Sequence, residues 1–485
     1  MKKILFILLF SVNFAFPAPQ VFITTGTHES ATKTGALRYC ITQANLYPGS
    51  TVAFNIPLTD IGKQRGGNWT YFRMSPASAL PDITAWTCID GSTERFYLGI
   101  DTNPYGPEIE IRGPAGSAGY GLSISSKCNI IEIAVNGFSS GDGIDLNADS
   151  AYTNIKGCYI GISATGTVAV PNGYDGIWLT NNDSCNNITI GGTTAADRNV
   201  ISGNADNGVN EFYAGGLTGP FICTVIGNYI GTDYTGLRAI PNGDAGLDSG
   251  AAFSSDSPGG HIIRNNVLSG NYNSGALLAG NHLNSLITSN LIGIGADGIT
   301  KIGNTVDGGV HIRETVAGSS VTNNIISNNT YGIYLANNAS PYPQRIFISS
   351  NSIYGNATLG IYNTAGTNEK ITPPLIRGAT TYSTTAFIEG TSSSTARIEV
   401  FIASATQTAG QGQIYVGSTT ASSGIWMLSV PSEYVGYMIA NSSVTATQHV
   451  QRSGTSQFAN NVRIRQGAVP VVEERRKYSP RIIIY

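Results

Sequence analysis

The sequence predicts an all-β chain: a right-handed parallel β-helix with three strands per coil, followed by a small antiparallel β-sandwich. Three observations predict it. A Gly-initiated strand motif recurs through the middle of the chain, Asn or Gly closes the short strands between its copies, and the pattern switches to period-two alternation from about Ile371.

Composition sets the class. Of 485 residues 59 are Gly, charged residues are only 12%, and 41% are hydrophobic. That is enough apolar material for a core and too little charge for a disordered polyelectrolyte. Long helices would need more Ala, Glu, Lys and Leu. Gly and Asn with abundant Ile, Val and Thr suit many short strands joined by tight turns. The formal net charge is −3 and the body carries no basic stripe, so nucleic acid is not an expected partner.

The repeat gives the architecture. The motif occurs at Gly143 (GIDL), Gly176 (GIWL), Gly208 (GVNEF), Gly246 (GLDS), Gly275 (GALL), Gly309 (GVHIR), Gly332 (GIYL) and Gly360 (GIYN), at spacings of 23 to 38 residues. Related pieces lie between, such as NIKGCYIG (154–161), TVIGNYIG (224–231), VISGN (200–204) and VLSGN (267–271). The unit from Gly332 to Gly360 holds YGIYL, RIFIS and NSIYGN, three strands in one coil. Strands of successive coils stack ~4.8 Å apart. Asn and Gly tolerate the left-handed backbone of the corners, and stacked Asn side chains can bond to the next coil. Propellers and sandwiches want antiparallel hairpins, which this stretch does not supply.

These segments carry a resemblance. GGTTAADRNVISGN (191–204) and GNYIGTDYTGLRAIPNGDAGL (227–247) resemble the consensus of bacterial right-handed parallel β-helix repeat proteins of the pectate-lyase-like superfold. GALRYCITQANLYPGSTVAFNIP (35–57) and LPDITAWTCIDGST (80–93) are similar to the opening of many such exported proteins. The resemblance spans roughly residues 21 to 366. It implies the fold, and it implies a range of activities that includes adhesins, surface proteins and polysaccharide-processing enzymes. It also implies that the alternating strands after ITPPL (371–375) form an immunoglobulin-like sandwich.

The expected domains follow. Residues 1–18 read as a signal peptide: Lys2 and Lys3, an apolar run from Ile4 to Phe16, then Ala15 and Ala18 as small residues. Residues 19–370 form the β-helix. Leu37, Ile41 and Ala44 recur at helical spacing, so 34–45 is expected to cap its open end, with Val52–Phe54 starting the first coil. Residues 371–467 form the sandwich and 468–485, ending in EERRKYSPRIIIY, a tail. No later segment has the length of a membrane helix. The six cysteines lack CxxC spacing, so a zinc site is not expected. Cys128, Cys185 and Cys223 could stack as free thiols or as a bridge. No metal or cofactor is predicted, and a monomer is expected.

Strand alternation then locates a face. In GIDL the Ile and Leu point inward, so the residue between them points out. Coil by coil this gives a column of Asp145, Trp178, Asn210, Asp248, Leu277, His311, Tyr334 and Tyr362. Aromatics and carboxylates in a row suit sugar binding, although aromatics also populate strands for β-propensity alone. Asp145 and Asp248 are three coils apart, too far to share one glycosidic bond. Asp142 and Asp175 precede glycines, where Asp is a turn residue. The one cluster of His, Arg and acid lies at His311, Arg313 and Asp307, the candidate catalytic set for a lyase or epimerase. The signatures of alginate epimerases and polygalacturonases are absent; Gly260-His261 is an isolated fragment of the latter. The expected function is therefore an exported protein binding polysaccharide or a surface glycan along this column. The alternatives are a polysaccharide lyase, epimerase or glycosidase in the same groove, and a structural spacer without a ligand.

Overall fold

The computed structural model describes residues 17–467, except 115, 117–118, 148, 182–184, 214–221, 251–259, 281–282, 315, 338–341 and 405–409. The expected signal peptide and tail thus fall almost wholly outside the described residues. Two units are present: residues up to Thr372 together with Gln451–Gln457, and Pro373–Val450 together with the chain from Phe458.

The first unit is a parallel β-helix with three faces, here called faces 1, 2 and 3 in the order the chain visits them. Faces 1 and 2 have eleven strands each and face 3 has nine. The recurring Gly-initiated strands make up face 3, and the sequence motif omits only its first strand, Leu122–Ile124.

Aliphatic columns hold the coils in register. On face 1, Ile89, Ile130, Ile155, Ile190, Val225, Ile263, Ile287, Val321 and Ile348 are paired one above the next. All are buried. Each such side chain contributes roughly 1.5–3 kcal/mol of burial, offset in part by ordering. A one-residue slip would turn every one of them outward, which fixes the register.

Two asparagine ladders fix the corners. At the turn from face 1 to face 2, Nδ2 of Asn199, Asn228, Asn266, Asn290 and Asn324 each donates to Oδ1 of the Asn one coil on, ending at Asn351. After face 2, the run Asn172, Asn204, Asn242, Asn271, Asn304, Asn329 and Asn356 repeats the arrangement. The amides also satisfy buried backbone groups that a corner would otherwise orphan, as where Asn266 donates to the Val225 carbonyl.

The ends differ from expectation in detail. The cap helix is shorter, Leu37–Ala44, with Gly35 left-handed just before it. It buries Leu37, Cys40, Ile41 and Ala44 against the first strands. The first coil starts one rung earlier than Val52, because Val21–Thr24 pairs in parallel with Ser50–Phe54. At the far end, residues 451–457 belong to the solenoid unit. The Thr455 N–H donates to the Ile346 carbonyl, and its Oγ1 accepts from the Ile348 N–H, closing the edge of face 1.

The cysteines are all free thiols. Of the two possibilities left open for Cys128, Cys185 and Cys223, no bridge forms; Cys223 is in register with Ile188, and the Ser150 hydroxyl lies against the Cys185 sulfur.

The second unit has two sheets, antiparallel except where Leu375–Thr381 meets Arg465–Gln466. Its core includes Ile388, Ile398, Val400, Trp426 and Val444. Among the described residues no helix is long and apolar enough to cross a membrane.

Candidate functional site

Face 3 carries the predicted column in unbroken register. Asp145 is paired with Trp178, Trp178 with Asn210, Asn210 with Asp248, Asp248 with Leu277, Leu277 with His311, His311 with Tyr334, and Tyr334 with Tyr362. Seven rungs of ~4.8 Å make a span of roughly 34 Å.

The column is not uniformly open, as strand alternation alone suggested. Asp145, Leu277 and His311 are 3%, 3% and 2% exposed, so neighbouring groups cover the middle and one end. Trp178, Asn210, Asp248, Tyr334 and Tyr362 are half-buried.

One half of the face is an aromatic ladder. His311 stacks on Tyr334 at 4.7 Å between centroids, and Tyr334 on Tyr362 at 5.4 Å, with interplanar angles of 11° and 12°. Tyr331, at the turn before its strand, stacks against both tyrosines at 5.1 and 5.2 Å. Rings packed this way use their faces on one another. What the ladder offers a ligand is therefore ring edges and phenol hydroxyls, more than free faces.

The other half is acidic. Asp142 Oδ1 accepts from the Asp175 N–H at 2.7 Å, and Asp175 Oδ1 from the Asn207 N–H at 2.9 Å. These two carboxylates brace successive turns. Asp175 Oδ2 also accepts from Asn210 Nδ2 at 3.0 Å, which ties the turn to the column. Burial pushes the carboxyls of Asp142 and Asp248 up to about 7, and those of Asp145 and Asp175 up to about 6. Asp206 is raised as well, by burial and then by Asp244. Arg313 opposes the shift at Asp248.

His311, Arg313 and Asp307 come together only in part. His311 Nδ1 lies 3.1 Å from Asp307 Oδ2, close but bent for a hydrogen bond. The imidazole holds the Asp307 carboxyl below the usual carboxylate range, with Arg313 adding to the effect. Arg313 itself pairs with Glu314 at 3.5 Å. Among the described residues, Nε2 of His311 and Oδ1 of Asp248 are buried without a hydrogen-bond partner. Such atoms are costly unless water or a ligand meets them.

Three features escaped sequence reasoning. Asp206 and Asp244 each sit two residues before the motif glycine, on the coils carrying Asn210 and Asp248, and their backbones bond in sequence as the column does. Aligning the motif copies one residue further upstream would have found them. Tyr331, which starts the quoted YGIYL segment, is the second: it joins the ladder from the turn before its strand. The third is internal: Glu211 and Ser249 replace aliphatics on the inward column of face 3. His261 Nε2 lies 3.1 Å from Glu211 Oε2, and the Ser249 hydroxyl donates to the same oxygen at 2.9 Å. Burial lowers the His261 imidazole to about 4, so the Glu211 contact is with a neutral ring near neutral pH. A cavity of about 20 Å³ lies among them, room for one water.

No protein-family model matches the chain, and no curated protein matches it. Among solved structures it is similar to the catalytic domain of a GH87 alpha-1,3-glucanase in complex with nigerose, at 13% identity over 71% of this chain and 67% of that one, TM-score 0.31. It is also similar to the full-length tailspike protein 2 of Escherichia coli O157:H7 bacteriophage CAB120, at 9% identity over 87% of this chain and 65% of that one, TM-score 0.27.

Proposed function

We propose that face 3 of the β-helix binds an extended glycan lying along the coils, in an exported protein that acts at or beyond the cell surface. The observation that carries this reading is the column itself: eight residues in one register over roughly 34 Å, acidic at one end and a ladder of phenols at the other. A span of that length suits a polymer. The Asp248 carboxylate, the Asn210 amide and the phenols of Tyr334 and Tyr362 along it can exchange hydrogen bonds with a chain of sugar hydroxyls.

A second reading, glycoside hydrolysis, is favoured by one specific observation. Asp244 and Asp248 share a coil, Asp206 lies one coil away, and both of the other carboxyls add to the rise at Asp248, so acids gather around it as paired acid–base chemistry needs. Burial at Asp248 holds a proton near neutrality, as a general acid requires. For a lyase or epimerase the corresponding base is His311, with Arg313 to neutralise a uronate and Asp307 to orient the ring.

The test is incubation of the purified protein with a panel of neutral and acidic polysaccharides, following retention, reducing ends and unsaturated ends. Retention without turnover, lost in Tyr334→Ala or Trp178→Ala, is the expected result. Turnover abolished by Asp248→Asn would replace the binding reading with the hydrolytic one. Turnover abolished by His311→Ala, with unsaturated ends, would replace it with the lyase. Neither retention nor turnover across the panel would leave a spacer.

A further inference from the structure

Face 2 carries a cleft that owes nothing to the face 3 column. It has a volume of about 550 Å³ and lies beside a hollow of about 370 Å³, with Tyr105 and Tyr234 in the wall of both. These volumes are in the range of small-molecule sites.

Its walls are stacked turns. The strands of face 2 end in equivalent small hairpins, marked by the bridges Ile162 to Ala169, Thr232 to Ala239 and Ile294 to Lys301. The hairpins bond to one another: the Tyr234 N–H donates to the Gly166 carbonyl and the Ala296 N–H to the Gly236 carbonyl, both at 3.0 Å. The loop around Tyr105 is tied to them, because Asn103 Nδ2 donates to the Ala164 carbonyl at 2.8 Å and the Tyr159 hydroxyl donates to the Tyr105 carbonyl. A site built this way is held open before any ligand arrives, which lowers the ordering cost of binding.

The aromatic arrangement differs from that on face 3. Trp69 and Tyr105 meet edge to face at 5.0 Å and 74°, and Tyr105 and Tyr234 are tilted at 5.4 Å and 48°. At such angles an edge of one ring meets the face of its neighbour, so each contact occupies at most one ring face instead of two. Tyr105 remains 48% exposed. The cleft therefore has aromatic faces to give, whereas the face 3 ladder has spent its own. Its charges are balanced and engaged: Arg95 is paired with Glu132, Arg198 lies over the Tyr229 ring at 4.2 Å, and Asp101 is the other acid.

We infer that this cleft, walled by Trp69, Tyr105 and Tyr234 with Arg95, Glu132 and Asp101 at its rim, is a second carbohydrate site that takes a short neutral saccharide. The apolar C–H faces of a sugar ring pack on the aromatic corner, and its hydroxyls bond to the carboxylates and guanidinium groups. Two guanidinium groups against two carboxylates leave the cleft without net charge, which gives an acidic sugar no electrostatic advantage over a neutral one. The inference stands or falls separately from the face 3 reading, since the two sites share no residue.

The test is calorimetric titration of the full-length protein with maltohexaose, cellohexaose, laminarihexaose and hexagalacturonate. At least one neutral hexasaccharide is expected to bind. Tyr105→Ala is expected to weaken that binding about tenfold or more, the equivalent of one lost stacking face, while Tyr105→Phe preserves it. Tyr334→Ala is expected to leave it intact. Thermal melts matching the parent show that Tyr105→Ala still folds. Three results would overturn the inference: no binding of any neutral hexasaccharide, binding indifferent to Tyr105→Ala, or tighter binding of hexagalacturonate. Binding that is lost in Tyr334→Ala and kept in Tyr105→Ala would assign the sugar to face 3 alone.

Discussion

Asp248 sits in the column with burial raising its carboxyl from 3.8 to about 7. A raised carboxyl means that the folded chain holds a proton that the unfolded chain has already released. Its contribution to stability is therefore fully present below about pH 4 and is lost as the pH rises through about 7. The rise from 3.8 to about 7, at about 1.4 kcal/mol for each tenfold change in proton affinity, gives roughly 4 kcal/mol, and access of water to the groove reduces this to the order of 2–4 kcal/mol. Asp248→Asn keeps the shape and removes the charge. Its stability should match the parent at pH 4 and exceed it by about 2–4 kcal/mol at pH 8. Scanning calorimetry of the solenoid transition at pH 4, 6 and 8 measures the difference. The comparison must be between variant and parent at each pH, because Asp60, Asp197 and Asp307 are lowered and pull the total the other way. A difference that stays constant from pH 4 to pH 8 would refute the reasoning.

Other expectations concern the frame of the solenoid. Asn266→Ala removes an acceptor from Asn228 and donors to Val225 and Asn290, so it should cost roughly 3–5 kcal/mol in urea unfolding; a loss under about 1 kcal/mol would deny the ladder its role. Glu211→Leu should destabilise by about 2–3 kcal/mol by stranding Ser249 and His261, and combining it with Ser249→Leu should recover part of that loss, a coupling that a double-mutant cycle reads directly. Thr455→Val keeps the volume but removes the acceptor for the Ile348 N–H; hydrogen exchange at that amide should quicken while amides of the central coils stay protected.

Periodicity made the coils legible and also decided what stayed hidden. The inward column of face 3 reads Ile144, Ile177, Val209, Leu247, and any slip would expose all of it, so the outward residues follow by alternation. That logic found the column from Asp145 to Tyr362. It said nothing about how far each side chain is covered, because covering depends on turns and loops outside the repeat; hence His311 was placed correctly and expected to be open. Asp142 and Asp175 were read as turn residues, and their bonds to the next coil agree. Yet the same bonds fix these carboxyls in a buried row, and Asp175 adds to the rise that burial gives Asp142 and Asp248. Structural bracing and chemical tuning are one arrangement here, so a turn residue in a solenoid cannot be dismissed from a site on that ground alone. The face 2 cleft was invisible for a different reason. Trp69, Tyr105 and Tyr234 lie more than thirty residues apart in hairpins and loops of different coils, and no single period relates them. Only the stacking of turns brings them to one corner. In a β-helix, then, strands announce their own face in the sequence, while sites made by the turns between strands have to be read from the fold.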